Sequence, residues 1–119
     1  MSWFSKKDEN FFLATIVPDG PGGRVERYLG LVNGEAVIGN NLFRDMFSAV
    51  RDVVGGRAGG YERALAGARD AALEDMIAAA RQLGADGVVG IDFDYEVLGE
   101  TNGMMMVTVS GTAVKMDND

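Results

Sequence analysis

The chain has 119 residues, 47% hydrophobic and 24% charged, the composition of one globular core, which argues against a disordered chain and against two full-sized domains. Eighteen acidic against eleven basic residues leave a net charge of −7, a field that repels phosphate backbones and anionic headgroups and so argues against a nucleic-acid partner. Cysteine and histidine are both absent, which excludes disulfides, thiolate nucleophiles, zinc ribbons, iron–sulfur clusters and every site built on imidazole.

The opening Met1-Ser2-Trp3-Phe4-Ser5-Lys6-Lys7-Asp8-Glu9 mixes both signs of charge and lacks an apolar run of secretory or membrane-spanning length, so a cytoplasmic protein without a membrane span is expected. Trp3, Phe4, Phe11 and Phe12 either pack on the body of the protein or touch a partner. Phe11 to Val17 is apolar and partly β-branched and stops at the turn cluster Pro18 to Gly23, which predicts a strand followed by a hairpin. Arg24 to Ile38 suits a long strand bent at Gly30 or Gly34. Val25, Leu29, Leu31 and Val37 fall on one parity, and Glu26, Tyr28, Val32 and Ala36 on the other.

After Asn40 and Asn41, the apolar positions Leu42, Phe43, Met46, Phe47, Val50, Val53 and Val54 repeat at helical spacing and predict a first helix closed by Gly55 and Gly56. A second, alanine-rich helix is predicted from about Tyr61 to Leu83, with Tyr61, Leu65, Ala68, Ala72, Met76, Ala79 and Leu83 on one stripe. Gly84 ends it. Leu73, Ile77 and Ala80 add a second stripe, more apolar surface than one small sheet is expected to cover, so a neighbouring subunit is the expected cover. Val88 to Leu98 reads as a strictly alternating strand, Ile91, Phe93, Tyr95 and Val97 facing one way and Asp92, Asp94 and Glu96 the other. Met104 to Met116 follows, with Met105, Val107, Val109 and Ala113 opposed to Thr108, Ser110 and Thr112. The predicted fold class is therefore α+β, an antiparallel sheet with two helices in the order β-β-α-α-β-β.

Four stretches, ERYLGLVNGEAVIGNN (Glu26 to Asn41), FRDMFSAVRDVVGGRAGGY (Phe43 to Tyr61), LGADGVVGIDFDYE (Leu83 to Glu96) and MMMVTVSGTAV (Met104 to Val114), resemble the bacterial YbjQ family of heavy-metal-binding proteins. The similarity runs from Phe12 onward. It implies an aromatic and charged leader over residues 1–11, one domain over 12–117, and a dodecin-like subunit assembling into a homo-pentameric ring.

The candidate sites each carry two readings. Asp92, Asp94 and Glu96 would form a lane of carboxylates about 6.5–7 Å apart on one strand face. The lane is either solvated and salt-bridged, or turned toward a ring axis where calcium or magnesium would relieve its repulsion. Met104 and Met106 could offer thioethers to soft ions, although methionine fills cores far more often. Gly55 to Gly60 with Arg57 could hold an anion at a helix start, or simply turn a corner; the phosphate-loop ending is missing. Glu35, in an otherwise apolar strand, is expected to pair with Arg44 or Arg51 at a subunit boundary. Arg44, Arg51 and Arg57 are also the expected cationic partners of the acidic lane. Asp92 and Asp94 have a spacing that glycosidase pairs use, but Ser110 has no base near it in sequence, and a short chain encloses a pocket only with help from other subunits. The expected function is a non-enzymatic binding or scaffolding ring. The alternative, by analogy with dodecins, is storage of a small organic ligand between subunits.

Overall fold

A computed structural model describes residues 11–21, 23–39, 59–98 and 103–117. These form β1 (Phe12–Leu13), β2 (Asp19–Gly20), β3 (Gly23–Ile38), α1 (Gly59–Gln82), β4 (Gly87–Leu98) and β5 (Met104–Asp117). The strands make one five-stranded sheet in the order β1-β4-β5-β3-β2. β1 runs parallel to β4 and every other pairing is antiparallel. The α+β class holds, but the expected purely antiparallel sheet and the order β-β-α-α-β-β do not. The described order is β-β-β-α-β-β, and the helix expected over Leu42 to Val54 lies outside the described residues.

The apolar run from Phe11 to Val17 yields two residues of strand instead of seven. The N–H of Phe12 donates to the Asp86 carbonyl at 3.0 Å, that of Ala14 to Val88 at 3.1 Å, and the Ala14 carbonyl accepts from Ile91 at 3.2 Å. The parallel ladder stops there because β4 bulges between Val89 and Asp92, and Ile16 and Val17 emerge into solvent. Phe11 itself is buried in the main core, with the Arg81 guanidinium 4.7 Å above its ring.

Two bulges decide which side chains reach the core. β3 slips register between Tyr28 and Gly30, where Gly30 has φ +138°. Leu29 therefore packs on the helix side while Leu31, of the same parity, lies on the outer face and is 86% exposed. In β4 the expected strict alternation breaks at Gly90, with φ +65°. Val88 packs with the helix and Val89 with a second small cluster of Val114 and Met116, whereas beyond the bulge it is the odd-numbered Ile91 and Phe93 that face the helix.

α1 lies across β3 and β5. The middle of both apolar stripes is buried: Ala72, Met76 and Ala80 are fully covered, and Leu73 and Ile77 are 1% and 3% exposed, while Leu83 at the end of the first stripe is 47% exposed. The expectation that this helix needs a neighbouring subunit to hide Leu73, Ile77 and Ala80 is thus corrected. Small residues let the helix sit low enough to bury its full width, since Gly34 lies directly beneath Ala72 and Met76. The helix ends in a Schellman motif, with Gly84 at φ +82° donating to the Arg81 carbonyl (3.0 Å) and Ala85 to that of Ala80 (3.1 Å). Asp86 then fastens the helix exit to β5, accepting the Met116 N–H at 2.7 Å and pairing with Lys115 at 3.6 Å.

A Cβ added at Gly34 would collide with the Ala72 carbonyl oxygen and the Met76 nitrogen, whereas one added at Gly67 meets nothing. Gly34→Ala is therefore expected to destabilise the protein by about 3 kcal/mol through overpacking. Gly67→Ala should stabilise it by about 1 kcal/mol through helix propensity alone. Urea unfolding of the two variants checks both signs.

Candidate functional site on the outer sheet face

The sheet face turned away from α1 divides into two halves. Toward β1 and β2 it carries the small apolar cluster of Val89, Val114 and Met116, with Phe12 and Val25 packed against it. Toward the other end it is acidic and hydroxylated. Asp92 sits opposite Ser110, Asp94 opposite Thr108 and Glu96 opposite Met106. Glu35 also lies opposite Thr108, from the β3 side. Glu35, Thr108 and Asp94 thus form one row across three strands, with the two carboxylates about 9–10 Å apart at two strand spacings. All four acidic residues are exposed.

The bulge at Gly90 creates this face. Gly90 and Ile91 oppose the single residue Gly111, so the parity of β4 inverts in the middle of the strand. In an uninterrupted strand Val88 and Asp92 would share a face, and the carboxylates would lie beneath the helix. Gly111 is small for the same reason: a Cβ there would stand 2.5 Å from Val88 Cγ1 and 3.4 Å from Ile91 Cγ1.

Asp92, Asp94 and Glu96 accordingly share one side of β4 as the alternation predicts. Glu35 was expected to pair with Arg44 or Arg51 at a subunit boundary. Within one chain its side chain is exposed, because the neighbours of opposite parity, Val32, Gly34 and Ile38, take the buried face. Its backbone N–H donates to Asp75 Oδ2 of the helix at 3.3 Å. Arg44, Arg51 and Arg57, the expected cationic partners, lie outside the described residues, as does most of the glycine segment 55–60. Met105 packs against the main core, as a core-filling methionine should. Among the described residues, no three acidic side chains of one chain converge closely enough to hold a metal ion, and no helix is long and apolar enough to cross a membrane. Sequence reasoning missed Arg69 of α1, whose Nη1 lies 3.4 Å from the Tyr95 hydroxyl. The available signal was a cation at the helical interval between Leu65, Ala72 and Met76.

Among the described residues, a mixed sheet with one long helix across one face and an acidic patch on the other defines a small α+β domain. A family profile described as "Putative heavy-metal-binding" matches residues 12–117, and the chain belongs to that YbjQ family. A crystal structure of a protein of unknown function from Pediococcus pentosaceus, assigned to the DUF74 family, is similar in fold. Its TM-score is 0.59 at 16% identity, covering 92% of this chain and 100% of that one.

The inversion at Gly90 can be tested directly. Gly90→Ala meets no steric obstacle, so it should cost only the left-handed backbone penalty of about 1–2 kcal/mol. Inserting one alanine between Ile91 and Asp92 should abolish cooperative unfolding in urea, because it would exchange the faces of the residues beyond it and drive the acidic side chains under the helix. An insertion variant that unfolds cooperatively with wild-type stability would contradict the assignment.

Proposed function

We propose that the protein acts as a non-enzymatic homo-oligomeric ring in the cytoplasm, pentameric as its family resemblance implies, that binds or scaffolds a ligand. The observation that carries this reading is a pair of bare sheet edges. β3 is sixteen residues long, yet on its outer side β2 covers only Gly23 and Arg24. On the far side of the sheet, β1 and Ala14 cover the twelve-residue β4 only as far as Ile91. Among the described residues, no strand pairs with the remainder of either edge. Unpaired edges of this length invite strand addition, and joining two different edges head to tail generates rings. Beside those edges stand Leu31 at 86% exposure and Val37 and Val97 at 55%, apolar surface that a second copy would cover. The surplus expected on the helix thus lies on the strands.

The donor chemistry qualifies the family description. A soft heavy metal favours thiolate and imidazole, and this chain has neither cysteine nor histidine. The outer face offers carboxylate oxygens, which suit calcium or magnesium. Among the described residues, one chain does not gather three of them. Strand addition of β4 from one copy beside β3 of the next would bring Glu35 toward the Asp92, Asp94 and Glu96 lane of its neighbour, giving the hard-cation reading its geometric basis. Storage of an organic ligand between subunits would be supported by a small molecule released on denaturation.

Native mass spectrometry at micromolar concentration should show a closed oligomer. Leu31→Glu, which places a charge on the most exposed apolar side chain, should shift it toward monomer; a wild-type monomer would refute the ring. Calcium should raise the melting temperature by linkage, by several degrees more than ionic-strength-matched sodium chloride. The difference should vanish in Asp92→Asn/Asp94→Asn, and an equal shift in that variant would remove the cation reading.

A further inference from the structure

We propose that Arg69 and Tyr95 form an oxyanion-binding site at the junction of α1 and β4, on the opposite side of the sheet from the acidic face. Leu65, Arg69, Ala72 and Met76 follow one another at helical intervals along the sheet-facing side of α1. Ala72 and Met76 are wholly buried and Leu65 packs against the core, so Arg69 puts a permanent cation in an apolar seam. The Arg69 Nε is buried without a hydrogen-bond partner. Its Nη1 donates to the Tyr95 hydroxyl, a neutral acceptor, at 3.4 Å.

A guanidinium cannot shed its charge by deprotonation as a buried lysine or histidine can. The usual compensation is an anion held side-on by Nε and one terminal nitrogen, a bidentate geometry suited to carboxylate and phosphate oxygens. Asp70, next in the chain, points about 100° away around the helix, and its own Oδ1 is likewise buried without a partner. The two side chains therefore do not neutralise each other. Tyr95, 47% exposed, adds a hydroxyl donor beside the guanidinium, because its O–H stays free to donate while its oxygen accepts from Nη1. Tyr95 reaches this site because the bulge at Gly90 places the odd-numbered residues of β4 on the helix side. The ligand class is an oxyanion, a carboxylate or a phosphate; the inference is independent of the ring and of the acidic face.

The full-length protein should be titrated with sodium acetate and with sodium phosphate against sodium chloride of matched ionic strength. The arginine Nε–H resonances would be followed by ¹⁵N NMR, and the Arg69 signal identified as the one lost in Arg69→Lys. A saturable movement of that signal is expected with at least one oxyanion and not with chloride. Response to acetate alone identifies a carboxylate ligand, response to phosphate alone a phosphate ligand, and response to both a general oxyanion site. Tyr95→Phe should weaken the affinity about fivefold, the loss of one hydrogen bond. In Arg69→Met, the oxyanion-dependent rise in melting temperature should disappear while the melting temperature in chloride stays the same or increases. A signal that does not move with either oxyanion up to tens of millimolar, or that moves equally with chloride, would overturn the site. The NMR result stands even if Arg69→Met fails to fold.

Discussion

The left-handed backbone at Gly90, set against the single residue Gly111, determines what each face of this protein can do. A strand keeps side chains on alternate faces only while its register is unbroken, and one extra residue exchanges the two sets. Before the bulge, β4 gives Val88 to the main core and Val89 to the small outer cluster. After it, the strand gives Ile91 and Phe93 to the core and sends Asp92, Asp94 and Glu96 outward. The bulge thus reconciles a helix that needs an apolar floor with a sheet face that displays charge. Tyr95 is brought under α1 by the same inversion, so the acidic face and the Arg69 neighbourhood are two products of one backbone irregularity.

The helix–sheet layer is built by close approach more than by large side chains. Gly34 lies against the backbone of α1 at Ala72 and Met76, and Ala68, Ala72 and Ala80 keep the helix low. A helix seated this closely buries Leu73, Ile77 and Ala80 beside Ala72 and Met76 within one chain. Among the described residues, what stays uncovered is at the margins of the sheet, where β3 and β4 run on past their short partners. The case for assembly therefore rests on backbone groups and side chains of the strands, with Leu31, Val37 and Val97 as the apolar markers.

Much of this was legible in the residues. Hydrophobic periodicity placed β3, β4, β5 and α1, and the alternation of Asp92, Asp94 and Glu96 put them on one side of a strand. The pattern around Gly30 and Gly90 could not be resolved by parity, because a bulge changes the face of a residue without changing its spacing in sequence. Leu29 and Leu31 look equivalent as letters yet lie on opposite faces. Glu35 stands among apolar neighbours in sequence, and its register opposite Thr108 shows that it lies on the exposed side of β3. The run from Phe11 to Val17 has strand composition, but how much of it pairs is set by the length of regular edge that β4 offers. The width of α1 was misread because sequence reports how much apolar surface a helix has and says little about how deeply it can sit.

The account depends most on the idea that the bare edges are closed by other copies of the chain. Glu35 directs its N–H away from β5 to Asp75, and strand alternation points the N–H groups of Asn33 and Val37 the same way. Hydrogen–deuterium exchange at these two amides, compared between nanomolar and high-micromolar protein, measures edge closure directly. The account predicts strong protection at high concentration that is lost on dilution. Rapid exchange of both amides at every concentration would show that the edge stays open and would contradict it.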